Sequence, residues 1–206
     1  MAKQRVCAII PAYKEAKRIE GTLIEIEKCK NVDEIIVVDD GSNDGTEAVV
    51  IPHKRVTYIK NKKNMGKGYA MDIGVKNTSC NILFFCDADL IGFTSNMIDD
   101  IINELSHNGK DMCIAVRHKI NNKFLTWSGQ RAIKRELWEN LPDFYKKGFR
   151  IELGLNFKSK KFSTYECNYS QHIKESKHGI VGGFYRRIFM LYHIFTAYVR
   201  YFMFGI

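Results

Sequence analysis

The chain has 206 residues, and its 32 Lys and Arg residues outnumber its 23 Asp and Glu residues, which leaves a net charge of +9. This length suits one domain with a substantial core, and no linker, low-complexity tract or internal repeat divides it. The excess charge is confined to the second half, because residues 1–103 carry −1 and residues 104–206 carry +10. That asymmetry indicates an anionic partner for the second half: a nucleic acid, a phosphorylated substrate or a membrane surface.

The six cysteines form no CxxC pair and lie mostly in apolar segments. We therefore expect reduced thiols that fill the core of a cytosolic protein rather than ligate a metal. The N-terminal segment Met1–Val6 is polar and runs directly into an apolar segment, so we expect no signal peptide.

Short apolar runs alternate with helix-like segments along the chain. The predicted strands are Val6–Ile10, Glu34–Asp39, Val56–Lys60, Ile82–Cys86, Met112–Val116 and one near Phe162–Asn168. The predicted helices are Ala16–Lys28, Asp44–Val50, Gly66–Asn77 and Ser95–His107. Strands separated by helices of this length imply βαβ crossovers, so we expect an α/β fold with a mainly parallel sheet. Ligands of such sheets bind beyond the carboxyl ends of the strands.

Two carboxylates, Asp87 and Asp89, follow the apolar run Ile82–Cys86 and are the most informative feature of the chain. The run is typical of a buried strand, and strand alternation puts both carboxylates on one side of its end. Such a pair is costly unless a cation neutralises it, and Mg²⁺ or Mn²⁺ takes oxygen ligands that it shares with substrate phosphates. The pair therefore predicts a metal-bridged diphosphate, with a solvated acidic turn as the alternative.

Two more polar clusters follow the first and second predicted strands. Proline cannot continue a hydrogen-bond ladder, so we expect Pro11 to end the first strand. Tyr13 offers a flat face on which a base can stack, while Glu15 either contacts the ligand or caps the next helix. Asp39, which is followed by Asp40, ends the second strand and is placed to accept hydrogen bonds from a base or a ribose hydroxyl.

The segment Asn64–Ala70 follows a basic stretch and opens a predicted helix at Gly66. Backbone N–H groups at a helix start, together with the Lys67 ammonium, make an anion site. A Gly-x-Gly pattern by itself is also explained by close packing.

Four motifs thus occur in order and at natural spacing: Pro-Ala-Tyr-x-Glu, Val-Asp-Asp-Gly-Ser-x-Asp-Gly-Thr, Asn-x-Gly-Lys-Gly-x-Ala and Asp-Ala-Asp-Leu. Together they resemble family 2 glycosyltransferases of the GT-A fold, especially the dolichyl- or polyprenyl-phosphate sugar transferase branch. The resemblance is strong from Val6 to Arg117 and weak in the rest of the chain. It implies a Rossmann-like, mostly parallel mixed sheet with flanking helices.

The resemblance also implies a nucleotide-sugar donor and a divalent metal, Mn²⁺ or Mg²⁺. With the motifs it assigns these residues to the donor site: Pro11, Tyr13, Glu15, Asp39, Asp40, Gly66, Lys67 and Asp87. Asp87 would meet the ribose or the metal, and Asp89 would hold the ion on the diphosphate. The ion would act as a Lewis acid on the leaving nucleoside diphosphate in an inverting transfer.

Two residues depart from the pattern of this family. Lys14 stands where relatives often carry Asn, and Ile91 stands where they carry Gln or Ser. The apolar Ile91 removes a third protein ligand to the metal, so water or the diphosphate would take that place.

The basic second half supplies the expected acceptor site. Arg117 follows the strand Met112–Val116, where relatives also place an arginine, and a guanidinium there would grip a phosphate bidentately. The segment Gly129–Ala132 is expected to begin a helix with Gln130 or Arg131 facing the cleft. Lys177 is carried over from a region that relatives use against phosphate.

Glu152 lies in a stretch where many relatives place a general base. Its apolar neighbours would bury it and raise its pKa, and a pairing with Arg150 or a lysine is the alternative. A phosphate acceptor needs no base, whereas a hydroxyl acceptor does. We therefore expect Asp89, Glu152 and Arg117 to carry the catalysis, with Glu152 important for a hydroxyl acceptor.

The tail 183–206 is aromatic and apolar, in contrast to the expected catalytic domain 1–182. Arg186, His193 and Arg200 recur every seven residues and form one polar stripe, and they interrupt the apolar length that a spanning helix needs. We expect an amphipathic helix that lies in the membrane surface. A helix docked on the catalytic domain and a true span are the alternatives.

These observations favour a glycosyltransferase on the cytosolic face of the membrane, peripherally associated, with a lipid-linked phosphate acceptor and no nucleic-acid partner. A soluble or glycan hydroxyl acceptor is the second hypothesis. A nucleotidyltransferase would need a glycine-rich loop after the first strand, which Pro11-Ala12-Tyr13 does not supply. A nucleic-acid-binding protein would leave the carboxylates unexplained. The oligomeric state is left open.

Overall fold

A computed structural model describes residues 4–107, 109–117, 122, 126, 128–171 and 179–205. The strands are β1 (Val6–Ala12), β2 (Glu34–Asp39), β3 (Val56–Lys60), β4 (Ile82–Phe85), β5 (Leu90–Ile91), β6 (Met112–Val116), β7 (Arg131–Lys134), β8 (Phe162–Glu166) and β9 (Ser170–Gln171). The helices are α1 (Ile19–Glu27), α2 (Thr46–Val50), α3 (Lys67–Lys76), α4 (Ser95–His107), α5 (Arg135–Glu139), α6 (Arg150–Lys158) and α7 (Gly179–Phe204).

Seven strands form one sheet in the order β3-β2-β1-β4-β7-β6-β8. All neighbours are parallel except β7, which runs antiparallel to both β4 and β6. The short strands β5 and β9 pair separately. The expected mostly parallel mixed sheet is confirmed.

Helices cover both faces of the sheet because its strands alternate between two cores. Ala8 and Ile10 of β1 pack with Leu23 of α1 in one core, while Cys7 and Ile9 pack in the other, which α3, α5 and α6 cover. This double burial explains the nearly continuous apolar runs of β1, β2 and β4. It also leaves polar side chains only where the strands end.

The first strand does not end at Pro11 as expected. It continues to Ala12, and Pro11 pairs with Val38 of β2. On its other side β1 pairs with β4 only as far as Ile9, so Pro11 lies where β1 has become an edge strand and needs no N–H on that side. The register brings Ala12 opposite Asp39 and so aligns two of the polar clusters.

The expected helix start at Gly129–Ala132 is wrong. Residues Arg131–Lys134 form β7, which fills the space between β4 and β6. Ala132 and Ile133 are completely buried on opposite faces of the sheet, in the two different cores. A four-residue run that is short on β-branched residues carries little strand signal of its own, and its two partner strands decide its conformation.

The tail forms the long helix α7, which begins at Gly179 and docks one face on the domain. Ala197 is fully buried, and Tyr201 stacks on Phe157 of α6 at 4.4 Å between ring centroids. The opposite face is exposed and apolar, and it includes Leu191, Phe195 and Phe202. Within the described part of the chain, no helix combines the length and apolar character that a bilayer span requires.

Two residues of the polar stripe of the tail, His193 and Arg200, contact the domain on the docked side of α7. His193 is buried, and its Nδ1 accepts a hydrogen bond from the Phe149 N–H at 3.2 Å. The Arg200 guanidinium lies 4.8 Å above the Phe144 ring. A stripe that served lipid headgroups would point away from the domain, so these two residues secure the helix to the domain instead. The structure does not describe the Arg186 side chain.

Candidate active site

A cavity of about 950 Å³ opens at the carboxyl ends of β1, β2 and β4. Three of its sides come from the predicted clusters, which include Tyr13, Asp40 and Asp89. Helix α6 and the first half of α7 form the remaining wall. The strand-end clusters therefore share one cleft, as the parallel sheet implied.

Asp87 and Asp89 both line this cavity just beyond β4. Asp89 is 3% exposed, whereas the Asp87 side chain is 21% exposed. Leu90 and Ile91 then pair with β9 in the short second sheet, which fixes the chain direction after the carboxylates. Ile91, which stands where relatives carry a polar residue, is 44% exposed.

Lys67, the first residue of α3, joins Asp87 to Glu152. Its Nζ lies 2.8 Å from Asp87 Oδ1 and 2.7 Å from Glu152 Oε1. Burial alone would lower the pKa of Lys67, but the carboxylates of Asp87 and Glu152 outweigh it and raise the pKa above its usual value. The side chain is therefore an ammonium at neutral pH. Of the two alternatives for Glu152 in the sequence, the pairing with a lysine is the one observed.

A hydrogen-bond network orients the other oxygen of Asp87. Gln130 Nε2 donates to Asp87 Oδ2 at 2.9 Å, while Gln130 Oε1 accepts from the hydroxyls of Tyr169 and Ser128 at 3.0 and 2.9 Å. Burial raises the pKa of Tyr169, so its hydroxyl remains a donor. These hydroxyls decide which end of the Gln130 amide faces Asp87.

Sequence reasoning did not identify Tyr169 or Ser128. Tyr169 is 82 positions from Asp87 and only three beyond β8, so no local spacing connects the two. Gln130 was expected at the cleft, and it lines the cavity.

Asp39 lies beneath the cavity rather than on its surface. It is fully buried, and its two oxygens accept hydrogen bonds from Ser42 N–H at 2.8 Å and the Tyr58 hydroxyl at 2.5 Å. Burial and the Asp39 carboxylate raise the pKa of Tyr58, which keeps this hydroxyl protonated. In the structure as it stands, Asp39 braces the loop after β2.

Asp40 holds the segment before α3. Its carboxylate accepts from Met65 N–H at 2.9 Å, Gly66 N–H at 2.7 Å and Asn61 Nδ2 at 2.9 Å. Gly66 has φ +95°, which a side chain would disfavour. These two N–H groups, which precede the first turn of α3, are therefore directed at a carboxylate of the chain itself.

The loop after β1 is fastened to the loop after β2 by three side chains. Lys14 N–H donates to Ser42 Oγ at 2.8 Å, Glu15 N–H to Thr46 Oγ1 at 3.0 Å, and Ala16 N–H to Asp44 Oδ2 at 3.2 Å. Helix α1 consequently begins at Ile19 rather than at Ala16.

The contacts of Tyr13 and Glu15 give each of them a definite place in the cavity wall. The Lys14 ammonium lies 5.5 Å from the centre of the Tyr13 ring, and Tyr13 lines the cavity. Glu15 also lines the cavity, and its carboxylate pairs with Arg18 at 2.9 Å. Pro11 completes this wall.

Arg131 does not reach the cavity, contrary to expectation. It is 1% exposed, and its guanidinium donates to the Asn156 side chain at 2.9 Å, to the Glu152 carbonyl at 3.1 Å and to the Ser128 carbonyl. A guanidinium used in this way positions α6, and with it Glu152, instead of gripping an acceptor phosphate. Arg117 is exposed and lines the cavity. Lys177 lies outside the described residues.

The α7 wall of the cavity is apolar and aromatic. Ile188, Phe189 and Tyr192 of α7 line it opposite Phe149, which precedes α6. These side chains connect the polar carboxylate end of the cavity with the exposed apolar face of α7.

The carboxylate oxygens at this site suit a hard divalent ion. Asp87 and Asp89 present carboxylate oxygens at one place, and such ions share these ligands with diphosphate oxygens. Among the described residues, no three His, Cys, Asp or Glu side chains gather into a metal site. The two carboxylates therefore fit an ion that completes its coordination with substrate oxygens and water.

The strand-end residues that line the cavity fall within the match to a known protein family. The sequence model of Glycosyl transferase family 2 matches residues 7–174, and the chain belongs to this family.

Several relatives are dolichyl-phosphate beta-glucosyltransferases. One from Trichomonas vaginalis is 35% identical over 94 residues, which is 39% of this chain and 28% of that protein. The one from Dictyostelium discoideum is 31% identical over 119 residues, or 48% of this chain and 36% of that protein. The matched segments thus span well under half of the length of these relatives.

Solved structures resemble the whole domain. Glucosyl-3-phosphoglycerate synthase from Mycobacterium tuberculosis, in complex with Mn²⁺, UDP and glucosyl-3-phosphoglycerate, has a TM-score of 0.77 and 21% identity, with 95% of this chain and 80% of that chain covered. A mannosyltransferase from Pyrobaculum calidifontis in complex with GDP-Man and Mn²⁺ has a TM-score of 0.78 and 21% identity, with coverages of 97% and 65%. At this identity the likeness shows the fold alone, and that fold is the GT-A fold expected from the sequence.

Proposed function

We propose that the protein is a metal-dependent, inverting glycosyltransferase that moves a sugar from a nucleotide-diphosphate sugar to a lipid-linked phosphate at the membrane surface. The observation that carries the proposal is the convergence of Tyr13, Asp87, Asp89 and Lys67 on one cavity at the carboxyl ends of a parallel sheet. Family membership and the complexes named for the two structural relatives support the donor class.

The donor would lie across the strand ends. Tyr13 offers its ring to the base, and Asp87 and Asp89 face the diphosphate. A divalent ion held by these carboxylates would supply Lewis-acid stabilisation of the departing nucleoside diphosphate. Lys67 would add a second positive charge beside the same leaving group. Negative charge develops on the diphosphate in the transition state, and groups already positioned to stabilise that charge lower the barrier.

The acceptor would enter from the α6 and α7 side. Arg117 lines the cavity and would grip an anionic acceptor group, whose oxygen attacks the anomeric carbon in line as the bond to the diphosphate breaks. The named activities of the curated relatives and the apolar α7 wall favour a lipid phosphate.

The exposed face of α7 is the proposed contact with the membrane. Leu191, Phe195 and Phe202 are each more than 60% exposed, and contiguous apolar surface of this kind marks an interaction site. The charge of +10 on residues 104–206 suits the anionic cytosolic leaflet. The helix would keep its docked face on the domain and bury the other face among lipids.

A hydroxyl acceptor is the second candidate, because the Glu152 carboxylate faces the cavity at the start of α6. A hydroxyl must lose a proton as it attacks, and Glu152, once released from Lys67, is the carboxylate placed to take it. The Glu152→Gln variant separates the candidates: transfer to a phosphate would continue, whereas transfer to a hydroxyl would stop.

Release of nucleoside diphosphate from a panel of nucleotide sugars tests the proposal, with Mn²⁺ and with or without polyprenyl phosphate in liposomes. We expect one donor to be cleaved, and cleavage to rise with the lipid phosphate. No release from any donor, with and without lipid, would contradict the proposal. A glycolipid product whose anomeric configuration is opposite to that of the donor would establish inversion.

A further inference from the structure

Lys67 occupies the place where a cation is needed. Its ammonium bridges Asp87 Oδ1 at 2.8 Å and Glu152 Oε1 at 2.7 Å. We propose that Lys67 holds Asp87 in the free protein in place of the divalent ion, and that the ion and the donor diphosphate together displace it. This inference rests on the proposed donor site, and it assigns Lys67 as the residue that couples metal binding to donor binding.

The environment of Asp87 favours this contact. Gln130 Nε2 donates to its second oxygen at 2.9 Å, so the carboxylate cannot turn freely away from Lys67. Gly129 lies directly beside the pair: a Cβ at that position would stand 2.6 Å from Asp87 Oδ2 and 2.8 Å from Lys67 Nζ. Only a residue without a side chain leaves room for the ammonium and the carboxylate to meet there.

An ion that approached Asp87 in the free protein would meet this ammonium at short range. Positive charges a few ångströms apart repel strongly in a partly buried site, where water screens them poorly. If the ammonium turned away without a new partner, it would leave the Glu152 carboxylate unneutralised as well. Metal binding to the free protein is therefore opposed by the chain itself.

The donor diphosphate removes that opposition. Its oxygens carry enough negative charge to ligate the ion and to pair with the Lys67 ammonium at the same time. Each ligand then strengthens the binding of the other, because the two effects share one free energy of coupling. The same turn of Lys67 releases Glu152 for the acceptor, so the donor would bind before the acceptor is activated.

The decisive measurement is the affinity of the nucleotide-free protein for Mn²⁺. Binding is monitored through the electron paramagnetic resonance signal of the free ion. We expect Lys67→Met to bind Mn²⁺ at least tenfold more tightly than the unaltered protein. Lys63→Met, which removes an exposed lysine just before α3, is the matched control and should leave the affinity unchanged. In a Lys67→Met/Asp87→Asn variant the gain should disappear, which locates the new affinity at Asp87.

The coupling is measured with uridine diphosphate and guanosine diphosphate at saturating Mn²⁺. We expect Lys67→Met to bind the preferred nucleotide at least tenfold more weakly, because the diphosphate has lost its ammonium partner. Equal or weaker Mn²⁺ binding by nucleotide-free Lys67→Met, or an equal gain in Lys63→Met, would overturn the inference. If Lys67→Met does not fold, Lys67→Met/Glu152→Gln preserves the net charge of the cluster and carries the same prediction.

The displacement of Lys67 and the proposed transfer reaction can fail independently of each other. A gain in Mn²⁺ affinity at Asp87 without cleavage of any nucleotide sugar by the unaltered protein would leave the displacement standing and reject the transfer reaction. Cleavage without that gain would keep the reaction and reject the displacement.

Discussion

The donor side and the α7 side of the cavity are held in different ways. On the donor side, backbone N–H groups are fastened by side-chain oxygens, such as Lys14 N–H to Ser42 and Gly66 N–H to Asp40. On the α7 side, aromatic rings are in contact, as between Phe149 and His193, whose ring centroids are 6.4 Å apart. Directional hydrogen bonds at partly buried positions impose one backbone geometry, whereas contacts between rings depend less on direction.

This difference matches the tasks of the two sides. A nucleotide diphosphate has a fixed arrangement of charges, and a rigid loop system recognises it without ordering costs. A lipid chain has many conformations, and an adjustable apolar wall accommodates them. We therefore expect changes on the donor side to abolish the reaction, and changes on the α7 side to alter where and how stably the protein works.

The largest effect is expected from Asp89→Asn. Because Asp89 is one of only two carboxylates proposed to hold the ion, its loss should lower the rate of nucleotide-sugar cleavage by roughly 10²- to 10³-fold, as for removal of other preorganised electrostatic groups. Asp143→Asn, which alters a side chain that is 92% exposed, should leave the rate unchanged. A rate within threefold of the unaltered protein would remove Asp89 from the catalytic residues.

The second effect concerns the exposed face of α7. Replacing Phe195 and Phe202 by Ser should weaken binding to anionic liposomes by about a hundredfold, since partial burial of two phenylalanine side chains contributes roughly 3 kcal/mol. The melting temperature should not fall, because both side chains are exposed. Ile51→Ser, at an exposed apolar residue beyond α2, is the control for cosedimentation. Unchanged binding of the double variant would reject the membrane contact.

The third effect tests how α7 is docked. Gly148 has φ +60°, and a Cβ there would stand 2.3 Å from the His193 ring. Gly148→Ala should lower the free energy of unfolding by about 2–3 kcal/mol, through backbone strain and overpacking together. Gly109 has φ +61° with open space around it, so Gly109→Ala measures the strain alone and should cost roughly 1 kcal/mol. Equal losses in a denaturant titration would mean that His193 simply moves aside.

The smallest effect is a pH dependence of the same contact. Burial, and then the nearby Arg150, lower the pKa of His193 below its usual value of 6.5. Since the unfolded chain binds the proton more readily, this contribution to stability is complete above about pH 6.5 and is lost as the pH falls toward the folded-state value, by at most about 1.4 kcal/mol per pH unit.

Hydrogen exchange of the α7 amides at pH 7.5 and 5.5 measures this loss. His193→Asn keeps an acceptor for the Phe149 N–H but cannot titrate. The stability difference between the two proteins should therefore be smaller at pH 5.5 than at pH 7.5. A difference that stays constant with pH would show that His193 protonation does not affect docking.

Local patterns were sufficient where each segment carries its own signal. The helix Ser95–His107 and the strand Met112–Val116 have the predicted bounds, because periodic or continuous burial is written into consecutive residues. The meeting of the strand-end clusters was also predictable, since parallel strands bring their carboxyl ends to one edge. Four ordered motifs then identified the family before any tertiary contact was known.

Pairings between distant residues could not be predicted in this way. Arg131 has the residue type of a phosphate ligand, yet its position between β4 and β6 buries it against α6. The seven-residue repeat in α7 predicted that His193 and Arg200 share one side of the helix. It did not predict that this side is the one docked on the domain. A repeat defines a stripe, and only the neighbouring surface decides what the stripe contacts.

The family, the parallel strands of the sheet and the carboxylates at the strand ends could be read from the sequence alone, because they depend on hydrophobic periodicity and on motifs of adjacent residues. The charge environment of those carboxylates follows from the folded arrangement of the chain. This arrangement brings Lys67 to Glu152, 85 positions away, and orients Asp87 through Gln130. Electrostatic interactions depend on the distances between groups in space, and separation along the chain does not encode those distances.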